Sequence, residues 1–150
     1  MNNQIIRNKE KKGSLRTHFL NENAIRLDKS LGDLAGLKNL GFHIIEVEPG
    51  YESTEFHFHH NEEECCYVLS GEATITIGKE EYLVGTGDFV GYPAEGEAHT
   101  MKNTGESTLI CIIAGQRLES DIVDYPNLNK RLYCHGEKCD LVNIGDIVDA

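Results

Sequence analysis

The stretch GYESTEFHFHHNEEECCYVLSG, residues 50–71, sets His57 and His59 two positions apart. In an extended strand alternate side chains point to the same side, so both imidazoles face one point while Phe58 faces away. Glu64 follows after a short polar run. Tyr67-Val68-Leu69 then reads as a strand closed by Gly71, which puts the carboxylate at the start of the neighbouring strand. A second stretch, GDFVGYPAEGEAHTMKN at residues 87–103, opens with a Gly-Asp turn, passes through a short strand to Pro93 and Gly96, and brings in His99 and Asn103. His57, His59, Glu64 and His99 together offer three imidazoles and one carboxylate. That set suits one divalent transition ion such as iron(II), manganese, nickel or zinc, whereas calcium and magnesium prefer all-oxygen shells.

The rest of the chain is punctuated for β-structure. One hundred and fifty residues make one domain with a single core. Fifteen glycines and three prolines break short apolar runs every eight to twelve residues, the rhythm of a sandwich or barrel. Eight strands are readable, at 42–47, 55–59, 65–69, 73–77, 81–84, 88–92, 99–103 and 108–114, and eight strands fit a jelly roll. Ala73 to Ile77 alternates polar and apolar residues and pairs with 81–84 across Gly78-Lys79. Leu109 to Ile113 is apolar on both faces, as expected of a strand covered on each side, with a second subunit as one cover.

These motifs resemble those of the cupins. Gly50, six residues, His57-Phe58-His59, four residues, Glu64, six residues and Gly71 is similar to the first cupin motif. Gly87, five residues, Pro93, Gly96, His99, three residues and Asn103 is similar to the second, with fifteen residues between the two. The segment after Gly50 and the Pro93–Gly96 loop each carry one residue more than the commonest form, both in loops where insertions are tolerated. The resemblance implies an all-β double-stranded β-helix barrel over 31–115. A polar extension over 1–30 and a second extension over 116–150 flank it. More narrowly, the stretch from about Gly32 to Tyr133 is similar to small single-domain cupins loosely labelled sugar-phosphate isomerases, or to sensor halves of regulators.

Charge and cysteines narrow the chemistry. The formal charge is −11, without a basic stripe, which makes nucleic acid a poor partner. The N-terminal run to Gly13 is polar and has the composition of neither a signal peptide nor a membrane span; disorder is its simplest reading. Five cysteines without a secretion signal predict reduced thiols and a cytoplasmic protein. Alternation from Glu64 turns Cys66 toward the cavity. From Gly41 to Gly115 there are fourteen acidic residues but only Lys79 and Lys102 as basic ones, so a phosphate is poorly served unless Arg26, Arg117 or Arg131 folds over the mouth.

The expected protein is therefore a metal-dependent enzyme of dioxygenase, decarboxylase or isomerase type. Its substrate would be a small chelating carboxylate, diketone or sugar-like compound. The alternative is a non-catalytic binding or sensor module. Tyr67, Tyr92 and His43 are the candidate proton donors; His60 faces away from His59, and Glu62 and Glu63 read as solvated loop surface. Leu31, Leu34, Leu37 and Leu40 suggest an irregular packed segment, residues 118–133 a short helix broken by Pro126, and 141–144 an edge strand. A homodimer is expected from the exposed sheet face and edges.

Overall fold

A computed structural model describes residues 4–150; the N-terminal reading over residues 1–3 lies outside them. In chain order the strands are β1 Ser14–His18, β2 Asn21–Ser30, β3 Leu40–Val47, β4 Phe58–His59, β5 Glu64–Ser70, β6 Glu72–Ile77, β7 Glu80–Gly85, β8 Phe89–Tyr92, β9 His99–Lys102, β10 Leu109–Gln116, β11 Ser120–Tyr125, β12 Lys130–His135 and β13 Lys138–Asn143. They form a six-stranded sheet in the order β1-β2-β3-β10-β5-β8, a four-stranded sheet β13-β12-β11-β4 and a three-stranded sheet β7-β6-β9. All the strand pairings are antiparallel. This is the all-β jelly roll expected from the motifs.

Each readable strand has a counterpart, though the one at 55–59 shrinks to Phe58–His59, and their neighbours are more numerous than the punctuation implied. Residues 14–30, read as a polar extension, form β1 and β2, and β2 pairs with β3 through Leu27–Glu46 to Ser30–His43. Residues 118–133 hold no α-helix: β11 and β12 pair from Ser120–His135 to Tyr125–Lys130 around a 3₁₀ turn at Pro126–Leu128. The fixed φ of Pro126 suits that tight turn, while Val123 and Tyr125 face inward on a strand period of two. The leucine-rich segment contributes one helical turn, Leu31–Leu34.

The core lies between the six- and three-stranded sheets. Ile45, Val47, Val68, Ala73, Ile75, Leu109 and Cys111 are fully buried there. Cys66 belongs to this cluster, so alternation turned it inward, but to packed core and not to open cavity. Gly71 turns the chain between β5 and β6 at φ +93, and a Cβ there would lie 3.0 Å from the backbone of Leu109 and Thr108. Asn103 is fully buried; its amide donates to the Val47 carbonyl at 2.7 Å and the Ser107 carbonyl at 2.8 Å, and its oxygen accepts from the Gly105 amide at 3.0 Å.

Among the cysteines the expectation of free thiols fails at one pair. Cys134 and Cys139 are directly opposite in the β12–β13 pairing and are joined as a disulfide, while Cys65, Cys66 and Cys111 are free. The four residues between them form the hairpin end, which brings the two Cβ atoms face to face. No helix among the described residues is long and apolar enough to cross a membrane.

Two buried carboxylates clamp the sheets. Asp28 accepts from His43 Nδ1 at 2.7 Å and faces Arg26 at 3.2 Å. Asp124 takes two hydrogen bonds from Arg131, at 2.6 and 2.8 Å, and lies 3.1 Å from His60. Burial raises the pKa of each, but His43 and Arg26 for Asp28, and Arg131 and His60 for Asp124, outweigh it and hold both below the usual carboxylate value of 3.8. The folded pKa being depressed, this stabilisation is complete above the unfolded value and disappears as pH falls through the folded one. Asp124→Asn should cost about 2 kcal/mol at neutral pH, as expected for hydrogen bonds to a charged group. Urea unfolding repeated toward acid pH should show that cost shrinking below the unfolded value; a cost independent of pH would contradict the assignment.

Candidate metal centre

His57 and His99 come together through their backbones. Each amide donates to the other's carbonyl, at 3.1 and 2.8 Å, an isolated antiparallel bridge that sets the two side chains on one face. His59 lies two residues on, in β4, where it pairs with Val123 of β11. Glu64 opens β5 between Gly115 of β10 and Tyr92 of β8.

The four predicted ligands converge on one carboxylate oxygen. Glu64 Oε2 lies 3.6 Å from His57 Nε2, 3.3 Å from His59 Nε2 and 3.7 Å from His99 Nε2. The donor atoms of His57, Glu64 and His99 all lie within 4.8 Å of one another, and His59 joins this trio from the far side of Glu64. Donors about 2.0–2.1 Å from one ion sit roughly 3–3.4 Å apart, so modest closure brings His57, Glu64 and His99 to coordination distances, while His59 also stands with Glu62 and Asp121 in a second group whose ligand atoms lie within 4.8 Å of one another.

The other ring nitrogens show that the donor set fits a cation. His57 Nδ1 faces the Glu55 carbonyl at 2.7 Å, His59 Nδ1 faces Asp121 Oδ2 at 2.5 Å, and His99 Nδ1 faces the Glu97 carbonyl at 3.4 Å. Each oxygen accepts an Nδ1–H, which leaves an Nε2 lone pair turned to the centre, as in metal-ligating histidines. Lone pairs of three imidazoles and a carboxylate repel unless a cation or proton sits among them. The charges show the same strain: burial opposes ionisation of Glu64, yet the three histidines hold its pKa well below the usual range. Burial would lower the pKa of His59, but Glu64 and then Asp121 lift it to about 9.

A cavity of about 720 Å³ opens beside this cluster, between the six- and four-stranded sheets. Its wall holds Asp121, Tyr125 and His18, which the sequence did not single out, together with Glu62. Tyr125 is buried with its ring 6.1 Å from that of His57, and burial followed by the charges of Glu55 and Glu64 pushes its phenol up to about 12. Glu62, read as loop surface, is half-buried, accepts from the Leu118 amide at 2.8 Å and lines the cavity. The period-two run Asp121, Val123, Tyr125 is the signal that would have found the β11 pair. Arg26, Lys38 and Arg117 also reach the wall, from outside residues 41–115, whereas Arg131 is committed to Asp124.

The candidate proton donors fare unequally. Tyr92 lines the cavity with its ring stacked on His99, centroids 3.6 Å apart, and burial with nearby Cys66 and Glu64 raises its pKa. Tyr67 points the other way, to the exposed outer face of β5, because it is out of step with Glu64 and Cys66. His43 is taken by Asp28 and is not part of the cavity wall.

Asp121 deserves a direct test as the partner that orients His59. Its other oxygen accepts from the amides of Asn61 and Glu62, at 3.1 and 3.3 Å, so the carboxylate is fully engaged. Asp121→Asn presents an amide to His59 and should lower metal affinity roughly 10- to 100-fold. Competition with a chromophoric chelator measures it, and unchanged affinity would remove Asp121 from the design.

Comparison with known proteins bears on the family and the fold. Residues 43–115 match the cupin domain family. A protein of Acidithiobacillus ferrooxidans, provisionally named a sugar phosphate isomerase, is 47% identical, with 99% of this chain and 97% of that one covered and a TM-score of 0.94. A Silicibacter pomeroyi protein named a sugar phosphate isomerase from a cupin superfamily is 22% identical, covers 91% of this chain and 88% of its own, and has a TM-score of 0.80. A predicted oxalate decarboxylase of Thermotoga maritima is 21% identical over 76% of this chain and 99% of its own, with a TM-score of 0.64; these two likenesses concern the fold alone. No curated protein matches the chain. With the jelly roll, the two histidine motifs and a near full-length relative in agreement, this chain belongs to the cupin superfamily.

Proposed function

We propose that this protein is a metal-dependent enzyme acting on a small, oxygen-chelating anion. Of the three reaction types its motifs allow, the aldose–ketose isomerase class is best supported. The observation that carries the reading is one cavity whose wall bears both the convergent His57, His59, Glu64 and His99 set and the cations Arg26, Lys38 and Arg117. The barrel strands alone are acidic and argued against a phosphorylated substrate. The cations that answer this objection come from β2, from the segment after the helical turn and from the residue just after β10. The provisional name of the 47% identical relative supports the same class.

A divalent ion held by the three imidazoles and Glu64 would polarise two adjacent substrate oxygens as a Lewis acid. The residues around it supply the rest. Of the other wall carboxylates, Asp33 and Glu137 are exposed and Asp121 holds His59 Nδ1, which leaves the half-buried Glu62 as the group to move a proton between neighbouring carbons. Tyr125 stays protonated and can donate to a substrate oxygen. Arg26 and Arg117 orient an anionic end, each keeping unused N–H groups beside its carboxylate partner.

Incubating the manganese-, iron(II)-, cobalt-, nickel- or zinc-loaded protein with pentose and hexose phosphates in D₂O tests the reading. Metal-dependent deuterium incorporation next to the carbonyl, followed by NMR, is the expected result. Glu62→Gln should lower that rate by roughly 100-fold or more while metal content is unchanged. Oxygen uptake in place of exchange would reassign the site to oxygenase chemistry, and tight binding with no turnover would make it a storage or sensing module.

A further inference from the structure

His18, at the end of β1, belongs to neither histidine motif yet lines the same cavity. The Leu20 amide donates to its Nδ1 at 3.1 Å. An imidazole that accepts at Nδ1 and is uncharged carries its proton on Nε2, so this single backbone contact selects the tautomer. The ring cannot swing freely: Phe19 stacks on it with centroids 4.8 Å apart, and Tyr125 meets it edge-on at 5.7 Å. No buried side-chain nitrogen or oxygen among the described residues lacks a partner, so the unengaged Nε2–H is accessible. Beside it stands Arg26, which also lines the cavity. Its guanidinium donates to the Ser53 carbonyl at 3.1 Å and faces Asp28 at 3.2 Å, with donors to spare.

We propose that the Nε2–H of His18 and the guanidinium of Arg26 form an oxyanion subsite next to the imidazole cluster, which takes a carboxylate or phosphate oxygen of the bound ligand. The subsite rests on the reading of the cavity as a small-molecule site, and it narrows the ligand to one bearing an oxyanion. His18 acts in it as a neutral donor. Burial, then the charges of His57 and Arg26, lowers its pKa to about 4, which keeps a second proton off Nδ1 and preserves the Leu20 contact. A neutral imidazole gives directional recognition without competing for the charge of the metal site. Arg26 supplies the charge, and Asp28 with the Ser53 carbonyl holds it in place.

The experiment uses the zinc-loaded full chain, with inorganic phosphate and glycolate as probes. A long-range ¹⁵N–¹H spectrum at neutral pH should show His18 as the Nε2–H tautomer, with saturable shifts at that nitrogen on adding either probe. His18→Phe keeps the aromatic packing and removes the donor; it should weaken probe binding roughly tenfold or more with zinc stoichiometry unchanged. His18→Gln, which restores a donor, should recover part of the loss. An Nδ1–H tautomer, or probe binding equal in wild type and His18→Phe, would overturn the subsite. None of these readouts needs turnover, so an inactive enzyme with an intact subsite would refute the isomerase reading and leave this one standing.

Discussion

Replacing Glu64 with glutamine is expected to abolish metal binding at the proposed centre. Its Oε2 is the atom that meets the Nε2 of His57, His59 and His99 at 3.3–3.7 Å, so it closes a set that the three histidines alone leave open. Glutamine has the same shape, but it lacks the charge, and half of its head group is an amide that carries no lone pair for a cation. Partners that merely orient a ligand are worth roughly 10- to 100-fold in affinity, so loss of a direct donor should exceed about 100-fold and rank well above Asp121→Asn. Elemental analysis after exhaustive dialysis should find wild type near one equivalent and Glu64→Gln near none. The thermal midpoint of the metal-free proteins serves as the control for folding. Full metal occupancy in Glu64→Gln at wild-type affinity would show that the ion, if bound, sits elsewhere.

The largest effect on stability should come from a site that touches no ligand. Asn103→Asp is nearly isosteric, yet it replaces the amide donor of a fully buried side chain with an oxygen facing the carbonyls of Val47 and Ser107. Two acceptors then confront a third. If the new carboxyl ionises, a charge is buried without a partner; if it takes up a proton, it satisfies one carbonyl and leaves the other unpaired. About 4 kcal/mol is expected from either route, and for a chain of this length each kcal/mol is worth roughly 2–4 °C in the thermal midpoint. Asn103 ties the turn after β9 to the end of β3, and β9 begins with His99, so partial loss of metal affinity should accompany the loss of stability. A change under about 1 kcal/mol in urea unfolding would mean that the turn has another anchor.

How far residues alone lead is clearest at the site. His57, His59 and Glu64 were readable because they lie on consecutive strands, where a period of two and a glycine-closed turn leave few arrangements. His99 was readable because a Gly-Asp turn, a short strand, Pro93 and Gly96 lead up to it. Asp121, Tyr125, His18 and Glu62 were not. Asp121 meets His59 across sixty-two positions, Glu62 is held by the Leu118 amide across fifty-six, and Tyr125 and His18 meet from distant parts of the chain. Local pattern carries no information about which strand will lie opposite which.

Strand rhythm, turn chemistry and ligand order were thus encoded locally, because backbone sterics and hydrogen bonding act over a few residues. The partners of those ligands, the cations at the cavity wall, the Cys134–Cys139 bridge and the enlistment of residues 14–30 into the main sheet were set by packing. There, burial of apolar faces and satisfaction of every polar group choose among many neighbours that the chain allows equally well.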